Sequence, residues 1–214
     1  MKTLMRLLVV AVLLPVYPPA RLAAQDPWPV VDRASAAYRA VRTFSADFTQ
    51  VVINPLVGEP DTTRGKLYQE PPGLFAMRFS HPKGDRIVAD GRSLWLYTPS
   101  TTPDQVIRTP IPKVGTTGPN LIAQFVERPR ERYRARYVRA DSATGGGADV
   151  VELVPRSDDL PYSKAVVWID RKDGLVRRIE IEESSGQHRT LVLDKLIVNR
   201  GVPGREFTFS PPAG

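Results

Sequence analysis

Cysteine is absent from all 214 residues. That excludes a disulfide framework, a thiolate metal site, a thiol nucleophile and a lipid anchor on an N-terminal cysteine. Histidine is scarce: His81 and His188 are the only two, too few for a multi-histidine metal site. His81 precedes Pro82 and His188 follows Gly186, so both read as polar turn residues. The sequence contains no G-x-S-x-G, no P-loop and no G-x-G-x-x-G, which leaves the common nucleophile and phosphate-binding motifs unrepresented. Glu180 and Glu182 alternate with Ile179 and Ile181 beside Arg177 and Arg178. That spacing is a solvated strand face rather than the paired acids of a glycosidase. Asp158-Asp159 has no clustered carboxylates around it for calcium. No residue is assigned to catalysis, to a metal or to a cofactor, and an enzyme is not expected.

Long apolar runs are equally rare. The one clear case, Leu7–Leu14, follows Lys2 and Arg6 and is closed by Pro15, Pro18, Pro19 and Arg21. A spanning helix needs ~20 apolar residues, so this is the pattern of a secretory leader. Leu22-Ala23-Ala24 supplies the small residues for cleavage after Ala24. The expected organisation is a signal peptide over 1–24 and one exported, soluble, monomeric domain over 25–214. Losing Lys2, Arg6 and Arg21 lowers the net charge from +7 to +4. A charge that small and that well mixed does not point to nucleic acid.

Proline, by contrast, is abundant, with 21 residues where average usage of ~5% would give about half as many. Proline interrupts helix interiors and central strands, so many short elements are expected. Val30, Val31, Ala34, Ala37, Tyr38 and Val41 recur at helical spacing, predicting a helix over about 27–42. Asp26 is its expected N-cap and Pro27 its first helical residue. From Phe44 the period changes to two. Strands are predicted over Phe44–Ile53, Thr63–Gln69, Leu74–Ser80, Arg86–Ala89, Ser93–Thr98 and Gln105–Thr109. Gly115–Glu127 then reads as a short helix. Strands resume over Arg132–Arg139, Asp149–Val154, Ser163–Asp170, Val176–Glu183, Arg189–Ile197 and Glu206–Phe209. Short turns such as Asp90-Gly91 and Lys172-Asp173-Gly174 join neighbours, so the sheet is antiparallel. A sheet of about a dozen strands must curl and have its inner face covered. Phe48, Phe75, Met77, Trp95, Tyr97 and Trp168 fall on the predicted strands. Composition alone leaves open whether they form a packed core or line a cavity.

Four stretches carry a family resemblance. They are Val41–Gln50 (VRTFSADFTQ), Gly65–Tyr68 with Pro72–Phe75, Ile87–Tyr97 (IVADGRSLWLY) and Phe207–Gly214 (FTFSPPAG). In this order and spacing they resemble the LolA family of periplasmic outer-membrane lipoprotein carriers. The resemblance implies a mainly β fold: one antiparallel sheet curled into an open, incomplete barrel. The N-terminal helix and the mid-chain helix would cover a hydrophobic cavity. It implies acylated lipoprotein cargo, received from an inner-membrane ABC transporter and delivered to an outer-membrane receptor. The lipid-binding residues it implies are Phe48, Phe75, Met77, Ile87, Trp95, Tyr97, Leu121, Ile122, Phe125 and Trp168. A relative that binds another lipid, or that senses mislocalised lipoproteins without transporting them, is the alternative on the same fold. Three departures stand out. Pro71 occupies the position where well-studied members carry an arginine that latches the lid. Met77 stands where a tryptophan is common. The sequence stops at Gly214, where some members continue.

Overall fold

The computed structural model describes residues 25–111, 122–142 and 146–212. The predicted leader over 1–24, Leu121 and the Gly115–Leu121 part of the predicted mid-chain helix lie outside the described residues.

Helix α1 spans Trp28–Arg39. It starts one residue later than its sequence signal. Pro27 itself is the N-cap, where its missing N–H is no loss, and Asp26 Oδ1 accepts the Trp28 amide at 3.1 Å. Val30, Val31, Ala34, Ser35 and Tyr38 form its buried stripe, the spacing of one helical face. The first sheet half is β1 (Phe44–Ile53), β2 (Pro60–Glu70), β3 (Leu74–His81), β4 (Arg86–Asp90), β5 (Ser93–Tyr97) and β6 (Val106–Pro110). Two single-turn helices follow, α2 (Ala123–Val126) and α3 (Pro129–Arg132). The second half is β7 (Tyr133–Asp141), β8 (Ala148–Pro155), β9 (Tyr162–Asp170), β10 (Val176–Glu183) and β11 (His188–Val198).

The eleven strands make one sheet in the order β6-β5-β4-β3-β2-β1-β11-β10-β9-β8-β7. Every pairing is antiparallel, and β1 against β11 joins the two halves, with Phe48 opposite Leu193. β6 and β7 are the edges, so the sheet is open. The predicted twelfth strand, Glu206–Phe209, is instead a 3-10 turn over Gly204–Phe207. Pro203, Pro211 and Pro212 flank it and cannot donate to a ladder. Its Arg205 and Glu206 carbonyls accept Arg78 Nη2 at 2.8 and 2.9 Å instead.

The sheet curls because its apolar residues share one cover. Residues from α1, α2, β1–β5 and β7–β11 belong to a single buried cluster. Helix α1 reaches Gln69 on β2 through Tyr38 and Asp149 on β8 through Arg33. Those strands are five places apart in the sheet, which would be about 24 Å if the sheet lay flat. A helix of 12 residues is only about 18 Å long, so the two halves must rise around it.

At Gly65 the wall has no room for a side chain. A Cβ there would sit 2.1 Å from the Arg78 carbonyl oxygen and 2.9 Å from Phe48 Cε1. The β2–β3 register also shifts between Arg64 and Gly65. The expected outcome of Gly65→Ala is a loss of about 2 kcal/mol or more, because the clash is with backbone that cannot move aside alone. Urea unfolding followed by circular dichroism checks it, and an unchanged midpoint contradicts it.

Candidate functional site

The period of two sorts every strand residue to the concave or the convex face. On β1, Phe44, Ala46 and Phe48 point inward, and on β3 Phe75 and Met77 do so with Phe79 beside them. Ile87 and Ala89 of β4 and Leu94 and Leu96 of β5 extend this lining. Ile122 and Phe125, from the segment bearing α2, close over it and are almost fully buried. The rings of Phe48 and Phe79 meet edge to face at 5.2 Å, a favoured aromatic geometry.

Six of the ten expected lipid-binding residues are thus gathered in one interior: Phe48, Phe75, Met77, Ile87, Ile122 and Phe125. Leu121 lies outside the described residues. Trp95, Tyr97 and Trp168 are placed on the opposite, convex face. Leu94 and Leu96 point inward, so Trp95 and Tyr97 between and beyond them point out. There they pack with Ala76, Val88 and Phe207 or meet Phe209, with ring centroids 5.6 and 5.8 Å from the Phe209 ring. Trp95 Nε1 donates to Asp90 Oδ2 at 2.8 Å, and the Arg108 guanidinium stacks at 4.8 Å. Trp168, between the inward Val167 and Ile169, packs on Ala148 and Val150. Its Nε1 donates to Asp141 Oδ2 at 2.9 Å, and Arg178 stacks on it at 4.9 Å. Sequence reasoning missed the aliphatic lining, notably Leu67, Val151, Leu153, Ile179, Leu191 and Leu193. Strict alternation within each strand would have found them.

A few polar contacts hold the helices on this interior. The Tyr38 hydroxyl donates to Gln69 Oε1 at 2.8 Å, both groups buried, and burial pushes the Tyr38 hydroxyl pKa up. The Tyr133 hydroxyl donates to the Gln124 carbonyl at 2.9 Å. Its one proton is thereby used, so Tyr162, 2.6 Å away, donates to it. Burial raises the pKa of both hydroxyls, so they stay neutral donors at physiological pH. The Phe125 ring lies 5.8 Å from that of Tyr162.

Asp149 is a carboxylate on the inner face that ties α1 down. Its oxygens accept Arg33 Nη2 at 2.8 Å, Arg171 Nε at 2.9 Å and the Tyr137 hydroxyl at 3.1 Å. Burial pushes its pKa up, but these three donors outweigh burial and hold the carboxyl below its ordinary value of 3.8. On the solvent side, Asp32 of α1 pairs with Arg130 of α3 at 2.6 Å.

Between α1, the β2–β3 turn and the end of α2 lies an opening of about 400 Å³. Ser35, Tyr38, Arg39, Val41, Pro71, Val126, Glu127 and Arg128 line it. The position that the resemblance gives to a latch arginine is therefore on this rim as Pro71, and the guanidinium groups there are those of Arg39 and Arg128. Among the described residues, no group of His, Asp and Glu side chains is arranged to hold a metal ion. No helix there is long and apolar enough to cross a membrane.

A depressed carboxylate pKa means that the stabilisation is present above 3.8 and is lost as pH falls through the lower folded value. Asp149→Asn is expected to cost about 1–2 kcal/mol at pH 7, since both guanidinium groups keep solvent contact. The difference from wild type should shrink as the pH drops below 3.8. Urea titrations at stepped pH values check this, and a pH-independent difference contradicts it.

Comparison with known proteins agrees with this architecture. A protein from Albidiferax ferrireducens named outer-membrane lipoprotein carrier protein is 32% identical over 183 residues, covering 82% of this chain and 84% of its own. One of the same name from Methylobacillus flagellatus is 25% identical, covering 90% and 92%. Among solved structures, an uncharacterized conserved protein from Thermus thermophilus superposes with a TM-score of 0.54 at 13% identity, over 87% of this chain and 95% of that one. Pseudomonas aeruginosa MucB, in its complex with MucA, gives 0.51 at 15% identity, over 85% and 60%. These two likenesses bear on the fold alone. Residues 39–210 match the family described as outer membrane lipoprotein carrier protein LolA, and the chain belongs to that family.

Proposed function

We propose that this protein is a periplasmic carrier that holds the acyl chains of lipoproteins against its concave face. It takes them from an inner-membrane ABC transporter and delivers them to an outer-membrane receptor. The observation that carries this reading is the continuous apolar inner face, covered among the described residues by short helices rather than by a second sheet. Membership of the lipoprotein carrier family supports the choice of cargo, and the leader pattern before Gln25 supports export.

The physics of the task fits such a cover. An acyl chain with about a dozen buried methylenes gains roughly 10 kcal/mol over exposure to water, at ~0.8 kcal/mol each. A carrier must offer that much apolar surface and still release it. Helices fastened by a few hydrogen bonds and one carboxylate cluster can open at a cost far below that of unfolding the sheet. Opening would expose the six inward residues Phe48, Phe75, Met77, Ile87, Ile122 and Phe125. The cargo is bound and handed on, not chemically changed.

The placement of side chains gives a contrast that sequence alone does not. Ile87 lines the inner face without being fully buried, whereas Trp95 is convex. Ile87→Asp is expected to weaken binding of a fluorescent fatty acid by at least about tenfold, because a carboxylate replaces an apolar contact. Trp95→Phe should leave binding unchanged. Fluorescence titration of both folded variants checks this. Equal effects, or a stronger effect of Trp95→Phe, would overturn the assignment of the concave face.

A further inference from the structure

The most exposed large apolar side chains among the described residues are at the tip of the β1–β2 hairpin. Leu56 is 93% exposed and Val57 is 70% exposed, with Ile53 at 39% just below. None of them contributes to any buried cluster. The turn, Asn54-Pro55-Leu56-Val57-Gly58, lies between two predicted strands. Leaving a leucine and a valine in water at a solvent-facing turn gains nothing for the fold.

The turn is built to hold them there. Asn54 Oδ1 accepts the Leu56 amide at 2.9 Å. The Asn54 carbonyl accepts the Val57 and Gly58 amides at 3.1 and 2.8 Å. Pro55 has no amide to satisfy. Gly58 supplies the positive φ of 82° that closes the turn, with open space around it. Gly186 of the β10–β11 turn passes beside the tip, where an added Cβ would lie 3.5 Å from Pro55 Cγ.

We propose that Leu56 and Val57 form a lipid-surface contact that enters the outer hydrocarbon layer of a bilayer. Three features favour lipid over a protein partner. The amides of Leu56, Val57 and Gly58 are already bonded within the turn, which meets the donor half of the requirement for entering a medium that offers no hydrogen bonds. Two side chains on a narrow tip are far smaller than the ~800 Å² that each partner gives to a stable protein interface. From Ile53 to Thr63 the hairpin contains Glu59 and Asp61 but no lysine or arginine. The contact is therefore apolar and does not depend on acidic headgroups. Two buried side chains give weak, reversible attachment, as a single short acyl anchor does. This inference concerns the outside of the molecule and stands whatever the interior holds.

The absence of cysteine makes a site-specific test simple. Val57→Cys and Lys172→Cys are each labelled with an environment-sensitive fluorophore on the mature chain. Lys172 lies in the β9–β10 turn at the opposite end of the strands. On adding phosphatidylcholine vesicles, the label at 57 should brighten and shift to the blue while the label at 172 does not. Adding phosphatidylglycerol to the vesicles should not strengthen the response. In co-sedimentation of unlabelled protein, Leu56→Ser with Val57→Ser should lower the vesicle-bound fraction about tenfold. Silence at 57, equal responses at both positions, or unchanged sedimentation of the serine variant would each overturn the proposal. The first of these would leave the tip to a protein partner.

Discussion

An eleven-stranded antiparallel sheet has two faces, and among the described residues no second sheet covers either of them. That constraint organises the rest of the molecule. The convex face is managed piecemeal: the segment around Phe207 and Phe209 covers one apolar patch, and Trp168 with its flanking arginines covers another. The concave face is too large for that. The sheet rises around α1 and α2, and its aliphatic and aromatic residues are brought into one cluster. Because β6 and β7 are the edges of the sheet among the described residues, closure depends on the helices rather than on a completed barrel.

A cover of this kind is weaker than a sheet ladder, and its fastenings are of a different type. The strands are joined by continuous hydrogen-bond registers, of which β1 with β11 and β1 with β2 are the longest. Helix α1 is joined to the sheet by Tyr38–Gln69 and by Arg33–Asp149. Helix α2 is joined by the Gln124–Tyr133–Tyr162 chain. Each fastening sits where a helix meets an inward position of a strand. Under the proposed function the same interior is a core when the helices are down and would serve as a binding surface when they lift. That dual character explains why composition alone could not separate core from cavity.

The strands were legible in the sequence because half-buried antiparallel strands alternate and their turns carry Gly, Pro and Asp. Phe44–Ile53 and Val176–Glu183 match residue for residue. What the sequence obscured was the face of the large aromatics. In Ser93–Tyr97 and in the Val166–Ile169 stretch of β9 both faces carry apolar residues, so neither size nor alternation tells which face Trp95 and Trp168 take. The inward positions belong instead to Leu94, Leu96, Val167 and Ile169. A tryptophan with an N–H to satisfy finds carboxylates on the convex side, Asp90 and Asp141. The interior offers chiefly aliphatic neighbours. Likewise Phe207 and Phe209 alternate as a strand would, but prolines on both sides deny them a ladder. The fastening at Asp149 was illegible because Arg33 is 116 residues away in the chain.

The central claim is that the concave face carries acyl chains. The most direct measurement is native mass spectrometry of the tagged mature protein purified gently from periplasm, followed by identification of whatever leaves with it on denaturation. The account predicts acylated lipoproteins bound one to one. An empty protein that also fails to take up acyl probes would contradict it and return the inner face to the role of an ordinary core.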